Sequence, residues 1–148
     1  MKRVSPDEAH ALMREGYAYI DVRSEPEFDV GHPASAFNVP WLEASTDGMR
    51  PNPHFIAELR ASFGFDAKLV VGCKTATRAE QAALAMESAG FRDVVLQRAG
   101  FDGLADPFGR IKEQGWRARS LPVELDARPG HDHASLSARA VAPDGQED

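Results

Sequence analysis

Midway along the chain, Lys68-Leu69-Val70-Val71-Gly72 sets three aliphatic residues side by side without alternation, and a helix built on alanines follows within a few residues. A short continuous apolar run of this kind reads as a strand buried on both faces. Beyond it Ala79, Ala82, Ala83, Met86 and Ala89 recur on one helical face, Glu80, Gln81, Glu87 and Ser88 point elsewhere, and Gly90 closes the helix. Small side chains on that face let the helix lie close on a sheet. A strand that runs straight into a helix is the unit from which parallel sheets are built.

The alternation extends in both directions. Ser5-Pro6-Asp7-Glu8 combines an N-cap hydroxyl, a proline at the first helical position and a glutamate three residues after the cap; Ala9, Leu12 and Met13 share a face, and Gly16 suits the stop. Tyr17 to Val22 predicts a short buried strand, and Ser24-Glu25-Pro26-Glu27-Phe28 a capped short helix ending at Gly31. Ala36 to Val39 predicts a brief strand stopped by Pro40, with a loop rich in Gly, Pro and Asn after it. Phe55, Ile56, Leu59 and Phe63 mark an amphipathic helix, Val94-Val95-Leu96 a further strand, and Asp106 to Arg110 the start of an irregular or helical segment reaching Trp116. The pattern predicts an α/β fold with a parallel sheet covered by helices on both faces.

A chain of 148 residues suits one domain. From about Asp126 the apolar period is lost and aromatic residues cease, so the expected division is a domain over 1–125 and a flexible tail over 126–148. The net charge of -6 opposes binding to nucleic acid or anionic membranes. No apolar run approaches the roughly 18 residues of a membrane span, and the start Met1-Lys2-Arg3 lacks the apolar stretch of a secretory signal, which leads to the expectation of a cytoplasmic protein.

Cys73 is the one cysteine, so neither an internal disulfide nor a thiolate zinc cluster is expected. It is either a small buried hydrophobe or a reactive thiol. Its position decides the expectation: it stands at the C-terminal end of the Lys68 to Gly72 strand, where open α/β sheets bind ligands, on a loop that leads into a helix N-terminus. Backbone N–H groups aimed at the sulfur, with Lys74 and Arg78 beside it, predict a thiol more acidic than a free one.

The segment Cys73-Lys74-Thr75-Ala76-Thr77-Arg78 resembles the active-site loop of the rhodanese family, a cysteine and an arginine separated by four residues. Asp21-Val22-Arg23 with Glu27, then Gly31-His32-Pro33-Ala34-Ser35-Ala36-Phe37-Asn38-Val39-Pro40, and Ala99-Gly100-Phe101-Asp102-Gly103 with a later Trp116 extend the resemblance over roughly residues 4 to 125. The resemblance implies a rhodanese-like, five-stranded parallel sheet with helices on both faces, and a sulfurtransferase needing no cofactor and no metal. Cys73 would take a sulfane sulfur from a donor such as thiosulfate, become a persulfide, and pass the sulfur to a thiophilic acceptor: cyanide, a thiol or a protein sulfur carrier. Lys74, Thr75, Ala76, Thr77 and Arg78 would form the binding loop. With no second cysteine, the acceptor must come from outside the chain.

Ala76 and Ser35 stand where many members of the family have glycine, and a left-handed backbone at Ala76 would cost on the order of 1 kcal/mol. About ten residues, Leu104 to Gly115, are inserted before Trp116, and such segments often act as lids or binding surfaces. Arg78 is either a helix-surface charge or an anion-stabilising group, and Lys74 stays open in the same way. Thr75 and Thr77 either donate to a bound anion or cap the loop. Asp21, Arg23 and Glu27 follow another strand and are expected to support the loop by ion pairing, and His32 is expected to be structural. His131-Asp132-His133 has metal-ligand residue types but is expected to be solvated tail. Two alternatives to sulfur transfer stand: a non-catalytic interaction or sensing module on the same fold, and a cysteine-based phosphatase or arsenate reductase, whose loop carries one more residue between cysteine and arginine.

Overall fold

The computed structural model describes residues 1–141. In chain order the elements are β1 (Lys2–Val4), α1 (Pro6–Arg14), β2 (Ala18–Asp21), α2 (Glu25–Asp29), β3 (His32–Pro33), β4 (Phe37–Asn38), β5 (Leu42–Ser45), β6 (Gly48–Pro51) and α3 (Phe55–Ser62). Then come β7 (Lys68–Gly72), α4 (Thr77–Ala89), β8 (Asp93–Gln97), β9 (Leu104–Ala105), β10 (Ile111–Glu113), β11 (Val123–Glu124) and α5 (His133–Ala140).

Five strands form one parallel sheet in the order β1-β8-β7-β2-β4. β7 is central, with Leu69, Val70 and Val71 fully buried, as its unbroken apolar run requires. One face packs Ile20, Leu69 and Val71 under Phe55 and Leu59 of α3, the alanines of α4, and Leu136 of α5. The other packs Tyr19, Val70 and Val95 under Ala9 of α1, with Phe28, Phe101 and Trp116. α1 starts as its capping box dictates: Glu8 N–H donates to Ser5 Oγ at 3.1 Å and Ser5 N–H to Glu8 Oε1 at 2.8 Å. Among the described residues no helix is long and apolar enough to cross a membrane.

Four local readings change. The Gly- and Asn-rich stretch after Pro40 is the hairpin β5–β6, and the segment after Gly103 is the short hairpin β9–β10. The edge strand β1, charged at its first two positions, has no apolar signature but pairs with β8 from Lys2↔Val95 to Val4↔Gln97. Ala76 has φ -152°, so it carries no left-handed strain, whereas Ser35 does, at φ 69°.

The largest change concerns the expected flexible tail over 126–148. Just before it β11 pairs antiparallel with β3, and within it α5 docks on α3 through Leu136, which is fully buried. Asp132 caps α5 by accepting from Ser135 N–H at 3.2 Å, and His131 stacks on Phe37 with ring centroids 3.7 Å apart. One leucine and two packed histidines hold the segment, which explains why no amphipathic period announced it. Residues 142–148 of that expectation lie outside the described residues.

Candidate active site

β7 delivers Cys73 at the C-terminal edge of the sheet, between β2 and β8. Two neighbouring segments fix the loop that follows. Val22 N–H donates to Gly72 O at 2.9 Å, while Phe101 N–H and Asp102 N–H donate to Cys73 O and Lys74 O, each at 2.8 Å. Gly100 makes this approach feasible: a Cβ on it would lie 2.5 Å from the carbonyl oxygens of both Lys74 and Thr75, and its φ is +68°. Gln97, fully buried, accepts from Ala99 N–H and Gly100 N–H through Oε1, so the backing segment is itself rigid.

Cys73 is 2% exposed, and Ala79 N–H, in the first turn of α4, donates to its Sγ at 3.3 Å. Burial pushes the thiol above its ordinary pKa, opposed by the Ala79 N–H, the charge of Arg78 and the Thr75 N–H. This corrects the expectation of an acidified thiol. Amides and cations are in place, but desolvating a thiolate outweighs them. Long-range burial of this kind is not visible in a loop sequence.

Arg78 does not project into solvent. Its Nη1 and Nη2 donate to Glu27 Oε1 and Oε2 at 2.7 and 3.0 Å, a fork-on-carboxylate pair that ties α4 to α2. Glu27 Oε1 also accepts from Ser24 N–H at 3.0 Å and Ser24 Oγ at 2.9 Å. The Arg78 guanidinium, with the Ser24 donors, holds the Glu27 carboxyl down to about 2. Arg23 closes on its own neighbour, with Nε and Nη2 donating to Asp21, and Nη2 also reaching Gly31 O at 2.7 Å. Its guanidinium lies 4.4 Å above the Phe101 ring, so Asp21, Arg23 and Phe101 form one buried block behind the cysteine loop.

The remaining loop residues face outward. Lys74 is mostly exposed, with Nζ 4.0 Å from Asp102 Oδ2, and Thr75 and Thr77 are exposed. Beyond the C-terminal ends of β2 and β4 lies a cleft of about 300 Å³, lined by Ser24, Glu25, Pro26, Pro40, Glu43 and Ala44. Trp41 closes the gap between this side and α4, its Nε1 donating to Gln81 Oε1 at 3.0 Å. The inserted hairpin is anchored elsewhere: Glu113 accepts from Arg98 at 2.9 and 2.8 Å, and Phe108 at the turn is 83% exposed.

The histidines lie away from the Cys73 sulfur's hydrogen-bond partners, and two of them are not in solvent as expected. His32 is fully buried, stacked on Phe28 at 3.7 Å, with Nδ1 2.9 Å from Phe28 O and Nε2 without a partner among the described residues. His131 and His133 are packed rather than solvated, and the described residues contain no cluster able to hold a metal ion. His133 lies between two carboxylates, with Nδ1 2.5 Å from Glu25 Oε2 and Nε2 3.1 Å from both oxygens of buried Glu58. The capping sequence at Asp132 was the one available signal for that helix.

The Rhodanese-like domain family matches residues 5–106. Thiosulfate sulfurtransferase 16, chloroplastic, of Arabidopsis thaliana is 37% identical over 121 residues, covering 82% of this chain and 91% of that protein. Senescence-associated protein DIN1 of Raphanus sativus is 33% identical over 78% of this chain, which spans only 57% of that protein's length. The crystal structure of Rv0390 from M. tuberculosis superposes with a TM-score of 0.70 at 27% identity, covering 85% of this chain and 98% of that one.

Proposed function

Because the chain belongs to the rhodanese-like domain family, we propose that it is a sulfurtransferase that carries sulfur as a persulfide on Cys73. The observation that carries the reading is the Ala79 N–H donating to a strand-end sulfur in a loop pinned on both sides. Cys73, once ionised, attacks the outer sulfur of a donor such as thiosulfate; the donor's S–S bond breaks and sulfite leaves with its electron pair. An external acceptor, such as cyanide, a thiol or a protein sulfur carrier, then attacks the terminal sulfur, and the Cys73 sulfur departs as thiolate. Neither step needs a redox partner, a metal or a cofactor.

The Ala79 and Thr75 N–H groups would stabilise negative sulfur in each state, with Arg78 contributing charge through space while Glu27 holds it in place. Burial leaves the resting thiol protonated, so loading should speed up as pH rises toward the thiol's pKa. Lys74, the outward cation, is suited to meet an anionic donor or acceptor. The net charge of -6 favours small-molecule or protein partners over nucleic acid, and a free reactive thiol suits a reducing compartment such as the cytoplasm.

A phosphatase reading has less support, since a guanidinium already chelated by Glu27 is not free to grip a tetrahedral oxyanion. Thiocyanate production from thiosulfate and cyanide tests the proposal: the wild type should turn over, and Cys73→Ser should not. Equal rates from the two proteins, or hydrolysis of a phosphate ester in their place, would overturn it.

A further inference from the structure

We propose that His133 is a positioning residue for the Cys73 loop: from α5 it holds Glu25, and so fixes the turn of α2 that clamps Arg78, only while its ring donates from both nitrogens. Its sulfur-transfer readout rests on the function proposed above; its structural readout does not.

The linkage alternates hydrogen bonds with single steps along the chain. His133 Nδ1 meets Glu25 in the first turn of α2; Ser24, one residue earlier, donates twice to Glu27; Glu27 chelates Arg78 in the first turn of α4, next to the Ala79 N–H on the Cys73 sulfur. α5 itself cannot drift, because Leu136 is buried against α3 and Asp132 caps the helix. The helix therefore braces, from outside residues 5–106, the ion pair that orients the loop.

The bracing is conditional on protonation for a geometric reason. A neutral imidazole has one N–H, and this ring faces a carboxylate at each nitrogen, so only the imidazolium donates to both. The charged groups against the ring are Glu25 from α2 and Glu58 from α3. On its own helix, Asp132 is turned to Ser135, and Arg139 to Ser62 and Gly130. When the ring loses a proton, one carboxylate must face a lone pair. Glu58 is 2% exposed and also accepts from Asn52 Nδ2 at 2.9 Å, so it retains its donor; Glu25, exposed at the rim of the cleft, is released. Burial opposes the imidazolium and the two carboxylates favour it, with a net rise in the His133 pKa, so the release falls at higher pH than a free imidazole would give.

Glu25→Gln separates this from ordinary packing. A neutral His133 can donate to Glu58 and accept from the side-chain amide that this substitution introduces, so in the variant the link no longer needs the second proton. The test is the rate of sulfur loading on Cys73, followed from pH 6 to 9 in the wild type, Glu25→Gln and His133→Leu. Thiol ionisation cancels in the ratio of wild type to Glu25→Gln. That ratio should fall on the order of fivefold as pH rises, as expected for the net loss of one typical, solvent-exposed hydrogen bond. A flat ratio overturns the proposal. Hydrogen exchange of the Phe28 amide, which donates to Ser24 O at 3.0 Å, over the same pH range is the second readout: protection should fall with pH in the wild type, not in Glu25→Gln, and be low throughout in His133→Leu. If no protein loads sulfur, the functional reading fails while exchange still decides the positioning role; pH-independent protection in the wild type overturns that role.

Discussion

Replacing Glu27 by glutamine removes one charge from the Arg78 clamp while keeping its size and its ability to accept from Ser24. The native pair holds Glu27 at about 2 against an ordinary 4.5. That difference corresponds to about 3.5 kcal/mol at roughly 1.4 kcal/mol per pH unit. The side chains of Arg78 and Glu27 are 19% and 29% exposed, so solvent screens part of it, and about 2 kcal/mol is the expected loss at pH 7. The sign with pH follows from a folded pKa lying below the unfolded one. The contribution is complete above the unfolded value and disappears as pH falls through the folded value, so the gap between wild type and Glu27→Gln should shrink to under about 1 kcal/mol by about pH 3. Urea unfolding of both proteins across that range measures it. A gap below about 0.5 kcal/mol at pH 7, or one that does not change on acidification, would refute the clamp as described.

Other consequences are equally direct. Ser35→Gly should stabilise the fold by about 0.5 to 1 kcal/mol in thermal or urea unfolding, because φ 69° strains a serine while both recorded contacts there, to Glu124 and His131, use backbone atoms. Gly100→Ala should lower stability by more than about 2 kcal/mol and abolish sulfur loading, since its Cβ would strike the Lys74 and Thr75 carbonyls at 2.5 Å; a folded, fully active variant would contradict the close approach. Leu136→Ala should cost about 2 to 4 kcal/mol in urea unfolding, as for a fully buried core leucine, and a negligible change would detach α5 from the folded unit.

The parts of this protein legible in its sequence are those held by local rules. Ser5 and Glu8 form a capping box because the pattern needs only three residues of separation, and Lys68 to Gly72 is the central strand because a continuous apolar run has few other places to go. The loop from Cys73 to Arg78 was legible as the link from a buried strand into a helix from its order: strand, sulfur, polar turn, helix. Features that depend on distant partners were hidden. Arg78 and Glu27 were both singled out, but nothing in the sequence pairs residues 51 positions apart. α5 offers a single large apolar residue, and its hold on the body of the protein comes from His131 on Phe37 and His133 between Glu25 and Glu58. The thiol's direction of shift was misread for the same reason: its cations and amides are local, whereas its burial is contributed by strands on both sides.

Covalent uptake of sulfur by Cys73 can be read from the intact mass of the protein after brief exposure to thiosulfate. The wild type should gain the mass of one sulfur atom and lose it on addition of cyanide, with Cys73→Ser unchanged throughout. A folded wild type that gains nothing, or a Cys73→Ser protein that still gains the sulfur, would contradict the account.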